Sequence, residues 1–93
     1  MATVVTAQTP PLLLAQAYQA HQAGCFSTAV ALYEQVLQQA PQQPDALHLL
    51  GLIAHVRGDA ERALWYVQRA IVVQPHSWVL HSNLGEIYRS LGR

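Results

Sequence analysis

The sequence contains no lysine, a single cysteine and few charged residues. Its 93 residues are 11% charged, the formal net charge is zero, and no aspartate, glutamate, lysine or arginine precedes Glu34. Because its few charges are balanced, the chain has no basic surface for nucleic acid or for an anionic membrane. Cys25 alone cannot form an internal disulfide, so the sequence does not indicate an oxidising compartment.

Long apolar runs are missing as well. No stretch approaches the roughly 18 uninterrupted apolar residues that a membrane-spanning helix needs. Residues 1–15 carry no basic side chain, which a secretory signal would have at its start. We therefore expect a cytoplasmic protein. The hydrophobic residues make up 52% of the chain and are sufficient for the core of one small domain.

A period of 34 residues runs through the chain. All five glycines fall at two positions of this period, with Gly24, Gly58 and Gly92 at one and Gly51 and Gly85 at the other. The closing prolines and several apolar residues repeat with the same spacing. A repeat of this length is typical of stacked supersecondary units.

Each period contains two helical patterns, in which apolar residues recur at i, i+3, i+4 and i+7. Pro44 suits a first helical turn, and Gly58 suits a helix end with positive φ. Asp59 is a favourable N-cap for the helix that follows, and Pro75 ends that helix. The sequence predicts helices near 11–23, 26–39, 44–56, 60–73 and 77–91. We expect a flexible tail over 1–9 and a repeat domain over 10–93, with units 10–43 and 44–77 and a half unit 78–93.

Small residues recur where paired helices would meet. A glycine inside a helix costs about 1 kcal/mol relative to alanine, so Gly51 needs a compensating reason. Its equivalents in the other units are Ala17 and Gly85, and the partner helices carry Ala29 and Ala63. These residues predict a close approach of the two backbones. A phosphate-binding role is disfavoured because no glycine-rich loop joins a strand to a helix.

These motifs resemble the tetratricopeptide repeat family. The matching residues of the middle unit are Leu47, Leu50, Gly51, Ala54, Gly58, Ala63, Val67, Ala70 and Pro75, and those of the third are Asn83, Leu84, Gly85, Tyr88 and Gly92. The first unit matches more loosely. His81 departs from the pattern, since a large apolar residue is usual at its position. The resemblance implies an all-α fold, a right-handed solenoid of antiparallel helix pairs with five helices in about two and a half units.

The resemblance also implies a function. In this family the first helices of successive units line a concave groove that binds a peptide or a partner domain. Carried onto the matching positions, the predicted groove residues are Tyr18, His21, His48, Leu52, His55, Ser82, Asn83, Glu86 and Arg89. Leu14, Gln22, Asp45, Leu49 and Val79 belong to the same helical faces. We expect a scaffold for protein–protein interaction, with no catalytic residues, cofactor or metal in this segment.

Two other functions remain open from the sequence. The repeats also resemble arrays that, in bacteria, precede an enzyme domain. That domain is either similar to O-linked N-acetylglucosaminyltransferases or similar to sulfotransferases. In such a protein the array would recruit the substrate proteins. Alternatively, the last helix mediates self-association, because its Gly85 side would otherwise be uncovered. Known carboxylate-binding members of the family use lysine, arginine and asparagine side chains. Here Leu14 and Tyr18 occupy two of those positions and Arg89 is the one cation, so a C-terminal carboxylate is not expected as the groove ligand.

The histidines do not indicate a metal-binding or catalytic site, and the tryptophans indicate helix packing. His48 and His55 are two helical turns apart, about 10 Å along the axis, which is too far for both to bind one metal ion. We interpret the five histidines as structural or surface residues. Trp65, Tyr66 and Trp78 are predicted to pack at helix contacts.

Overall fold

The structure, a computed structural model, describes residues 9–92. Within that range it contains five α-helices and no strand. The prediction of an all-α fold with five helices is confirmed, and every helix end lies within one residue of its expected place. Apart from Thr9, the predicted tail lies outside the described residues. The helices are α1 (Pro10–Gln22), α2 (Phe26–Gln39), α3 (Pro44–Val56), α4 (Ala60–Val73) and α5 (Trp78–Ser90).

The helices repeat with the period of the sequence. The first helical residues of α1, α3 and α5 are Pro10, Pro44 and Trp78, which are 34 positions apart. Gly58, after α3, has a φ of +84°, in the left-handed region that glycine adopts without a Cβ penalty. The Asp59 amide donates to the Ala54 carbonyl oxygen at 2.8 Å, closing the end of α3. The glycines after α1 and α5 have similar φ angles, +80° and +75°.

Side chains before the helices satisfy backbone amides in the first turns. The Asp59 carboxylate accepts a hydrogen bond from the Arg62 amide at 3.2 Å, which confirms the predicted cap of α4. Thr9, Gln43 and Ser77 do the same for α1, α3 and α5. Local sequence therefore determines where these four helices begin. At α2 the preceding residue, Cys25, makes no side-chain cap.

Packing joins helices that are close in sequence. The most extensive contacts join α1 to α2 and α3 to α4, and smaller ones join α2 to α3, α4 to α5 and α3 to α5. The larger hydrophobic cluster extends from α1 to the start of α5, and a smaller one around Ala63, Val67 and Ile87 lies between α3, α4 and α5. The molecule is elongated, measuring 57 × 26 × 17 Å along its principal axes.

The packing of α3 against α4 leaves no room for a side chain at Gly51. A Cβ atom placed on Gly51 would lie 2.8 Å from Cγ2 of Val67 and 3.5 Å from the carbonyl oxygen of Ala63. Ala63 and Val67 are completely buried, so a side chain at position 51 would have to displace residues of the core. Ala17 and Ala29 are completely buried in the same way in α1 and α2.

Gly85 occupies the equivalent position in α5 but has a different environment. No atom outside its own helix backbone lies within 4 Å of the place where its Cβ would be. The neighbouring apolar residues Leu84, Tyr88 and Leu91 are half-buried. Among the described residues, no helix covers this side of α5 as α4 covers α3.

The expected packing of the two tryptophans is wrong. Trp65 is 53% exposed and Trp78 is 78% exposed, whereas Tyr66 is buried as predicted. Successive helical residues are rotated by about 100°, so Trp65 lies to one side of the buried face formed by Ala63, Val67 and their neighbours. The Trp65 ring instead carries the Arg69 guanidinium, 4.6 Å from the ring centroid.

His81, which stands where the family usually has a large apolar residue, also differs in its surroundings from the equivalent residues of the first two units. The equivalent residues Leu13 and Leu47 are buried, but His81 is exposed. Its Nε2 lies 2.8 Å from the carbonyl oxygen of Pro75, so the ring donates a hydrogen bond to the chain before α5. The third unit therefore begins with a polar contact where the first two begin with a core leucine.

The two helical glycines provide a matched test of close packing. Gly51→Leu should lower the free energy of unfolding by about 1–3 kcal/mol or more, because the new side chain must displace Val67 or separate α3 from α4. Gly85→Leu should leave stability unchanged or raise it by up to about 1 kcal/mol, since leucine favours the helix and nothing obstructs its Cβ.

Thermal and urea unfolding followed by circular dichroism would measure both variants. One kcal/mol corresponds to a shift in Tm of about 4–8 °C for a domain of this size. Equal losses in the two variants would contradict the close-approach explanation of Gly51.

Candidate functional site

The nine predicted groove residues all lie on α1, α3 or α5. None of them is buried, so each side chain reaches solvent at least in part. Tyr18, Ser82, Glu86 and Arg89 are exposed, while His21, His48, Leu52, His55 and Asn83 are half-buried. Most of the residues on α3 and α5 meet where these two helices contact each other, and Tyr18 lines a second place between α1 and α3. His21 lines neither place, although its ring lies edge-on to Tyr18 with the centroids 6.4 Å apart.

The first place is the contact of α3 with α5. The side-chain amide nitrogen of Asn83 lies 2.8 Å from Nε2 of His48, 35 residues earlier in the chain. With the amide donating, the ring nitrogen accepts the hydrogen bond, which requires that this nitrogen carry no proton. The bond links two side chains that the sequence assigned to the groove in different units.

Burial affects the titration of His48. Desolvation lowers its pKa below the ordinary value of 6.5, although the nearby Asp45 carboxylate acts in the opposite direction. A neutral imidazole is also the form that accepts the Asn83 hydrogen bond. The geometry of the Asn83 hydrogen bond and the burial of the ring therefore both favour a neutral His48.

A small cavity lies beside this bond. Its volume is about 120 Å³, and it is lined by the predicted residues Leu52, His55, Asn83 and Glu86 together with atoms of α4. Glu86 forms an ion pair with Arg89 at 2.6 Å on the exposed surface of α5. Such an exposed pair adds little stability, but it offsets the two charges at this end of the surface.

The second place is a broader depression between α1 and α3. It has a volume of about 480 Å³, and Tyr18 lines it with Leu14, Asp45 and Leu49. Pro11 and Ala15 complete the lining, and the sequence did not predict either of them for the site. Asp45 takes part in neither the Arg62–Asp59 nor the Arg89–Glu86 ion pair.

His21 is directed to the second helix of its own unit. Its ring packs edge-on against Phe26 and Tyr33 of α2, with centroid distances of 5.7 and 6.3 Å. Its Nδ1 lies 3.4 Å from the Tyr33 hydroxyl. Burial, with smaller contributions from Tyr18 and Asp45, raises the pKa of Tyr33 to about 12. His21 thus contributes to the packing of α1 on α2 and lines neither depression.

Other site chemistry is not evident in residues 9–92. No group of three histidine, cysteine, aspartate or glutamate side chains there is arranged to hold a metal ion. Cys25 is a free, exposed thiol in the turn before α2. None of the five helices has both the length and the apolar character required to cross a bilayer.

Compared with known proteins, the chain matches no protein-family model and no curated protein. The geometry of the surface formed by α1, α3 and α5 is therefore the basis for a functional proposal.

His48 predicts a pH dependence of stability. Because its pKa is lower in the folded chain than in the unfolded one, the unfolded state binds more protons, and stability falls as the pH drops through about 6.5. His48→Gln removes the titrating ring and should reduce the loss of stability between pH 7.5 and pH 5.

The matched control is His76→Gln, an exposed histidine between α4 and α5. This variant should lose as much stability on acidification as the unmodified protein. Urea unfolding at the two pH values would measure the difference, and an equal acid loss in all three proteins would rule out this role for His48.

Proposed function

We propose that this chain is a tetratricopeptide-repeat scaffold that binds an extended peptide or partner segment. In this proposal the helix pairs are antiparallel, they stack as a right-handed solenoid, and α1, α3 and α5 line its concave surface. The observation that carries the proposal is the exact recurrence of helix starts and left-handed glycines every 34 residues, a length characteristic of this family.

Side-chain chemistry supports a peptide ligand. The depression between α1 and α3 offers apolar contact from Leu14, Leu49 and the Tyr18 ring, and tyrosine is frequent at protein-binding hot spots. At the contact of α3 with α5, the side-chain nitrogen of Asn83 is bonded to His48, and its side-chain carbonyl oxygen is left as a hydrogen-bond acceptor. That oxygen can accept a hydrogen bond from a backbone N–H without reading the peptide's sequence.

Charge narrows the class of peptide. Asp45 is a carboxylate that takes part in neither the Arg62–Asp59 nor the Arg89–Glu86 ion pair, and it lines the apolar depression. Arg89 is already paired with Glu86, which leaves no unpaired cation among the predicted groove residues to attract a C-terminal carboxylate. The favoured ligand is therefore a segment with a large apolar side chain followed or preceded by lysine or arginine.

A second function, self-association through α5, is favoured by the open side at Gly85. The half-buried Leu84, Tyr88 and Leu91 beside it would gain burial against a second copy. Light scattering at increasing protein concentration distinguishes the two functions, since a scaffold for another partner retains the mass of one chain and a self-associating module reaches twice that mass.

The scaffold proposal predicts the outcome of a selection from a random peptide library displayed on phage. Selected peptides should be enriched in an apolar residue next to lysine or arginine. Tyr18→Ala should weaken the binding of the selected peptides by about 2 kcal/mol, roughly 30-fold, because it removes the exposed aromatic surface of the depression.

The matched control is Trp65→Ala, which removes an aromatic residue of similar exposure from the outer face of α4. Fluorescence anisotropy with labelled peptides should give unchanged affinity for that variant. Absence of any enriched motif, or equal loss in both variants, would argue against a binding surface on α1 and α3.

A further inference from the structure

A separate cavity lies where α2 meets α3 and α4. Its volume is about 300 Å³, at the lower end of the range of roughly 300–1,000 Å³ found for small-molecule sites. None of the residues that line it belongs to the faces assigned to the peptide groove. Its apolar wall is formed by Val30 of α2 and by Leu50, Ile53 and Ala54 of α3.

The rim of this cavity is basic. Arg57 follows the last turn of α3 and Arg62 lies in the first turns of α4, and both line the opening. Arg62 is partly neutralised, because Nε of its guanidinium pairs with Asp59 at 3.4 Å. Arg57 takes part in neither the Arg62–Asp59 nor the Arg89–Glu86 pair.

Asp59 is the acidic residue of the lining, and its charge is compensated. One carboxylate oxygen accepts the backbone N–H of Arg62 as the cap of α4, and the other pairs with the Arg62 side chain. Arg57 takes no part in this pairing, so the charged residues of the lining, Arg57, Arg62 and Asp59, sum to one net positive charge.

Tyr66 adds a phenol to the same wall. Its ring is buried, and burial, with a smaller contribution from Glu34, raises the pKa of its hydroxyl. The hydroxyl therefore stays protonated at neutral pH and can donate a hydrogen bond. Tyr66 and Arg62 interact through their side chains, which connects the phenol to the basic rim.

We propose that this cavity binds a small carboxylate with an apolar tail. The tail contacts Val30, Leu50 and Ile53, and the carboxylate pairs with Arg57 at the rim. A guanidinium can form two parallel hydrogen bonds with a carboxylate, and it desolvates more readily than an ammonium group. The aliphatic wall suits the apolar tail of the ligand, and the Arg57 guanidinium suits its carboxylate.

Nuclear magnetic resonance of the isotope-labelled full chain tests the proposal, with octanoate, octanol and acetate as probes. Octanoate should produce saturable shifts at Val30, Leu50 and Ile53. Octanol lacks the charge and acetate lacks the tail, so each should bind at least about tenfold more weakly. Shifts confined to the groove residues, or equal affinity for octanol, would overturn the proposal.

Two variants sharpen the test. Arg57→Gln should weaken octanoate binding by about tenfold or more, whereas Arg69→Gln, whose guanidinium stacks on Trp65 outside the cavity, should bind as the unmodified chain does. Val30→Phe fills the apolar end from another helix and should abolish binding while Arg57 is retained. Circular dichroism checks that each variant is folded, and unchanged affinity in either Arg57→Gln or Val30→Phe would refute the site.

Discussion

The approach of α3 to α4 at Gly51 is the constraint on which the middle of this structure depends. The side chain of Val67 occupies the space that a Cβ on Gly51 would need, and Ala63 brings its backbone carbonyl close to the same point. Because Ala63 and Val67 are completely buried, the short distance between α3 and α4 depends on the absence of a side chain at Gly51. The glycine's unfavourable helix propensity is offset by the contacts made possible by the close approach.

This constraint also affects the surface proposed for binding. Gly51 lies beside Leu52 and His55 in the small cavity between α3 and α5, so the position of α3 against α4 determines where these side chains lie. The hydrogen bond between His48 and Asn83 then connects α3 with α5. Close packing within one helix pair and a polar contact to the next helix together position the side chains of the candidate site.

Local features of the sequence predicted much of the fold. Helix bounds followed from caps, prolines, glycines and apolar periodicity, each of which acts within a few residues, and Asp59 and Gly58 behave as expected. Features that depend on the angle between helices could not be predicted from these local signals. The orientation of His21 to α2, the exposure of Trp65 and the cavity beside Arg57 all depend on how distant turns meet. The surface of α1, α3 and α5 was predicted through a family resemblance, whereas the ion pair between Arg89 and Glu86 and the place of Asp45 beside an apolar depression were visible only in the structure.

The order of the helix contacts has a consequence for the kinetics of this chain. Each helix packs mainly on helices that are next to it or next but one in sequence, so the native contacts close short loops. Topologies dominated by local contacts collapse and order rapidly, often within milliseconds. They also open in parts, because the pair of α1 and α2 can unravel while α3 and α4 keep most of their own contacts. Amide hydrogens in α1 should therefore exchange with solvent sooner than those around Val67, which is completely buried between α3, α4 and α5.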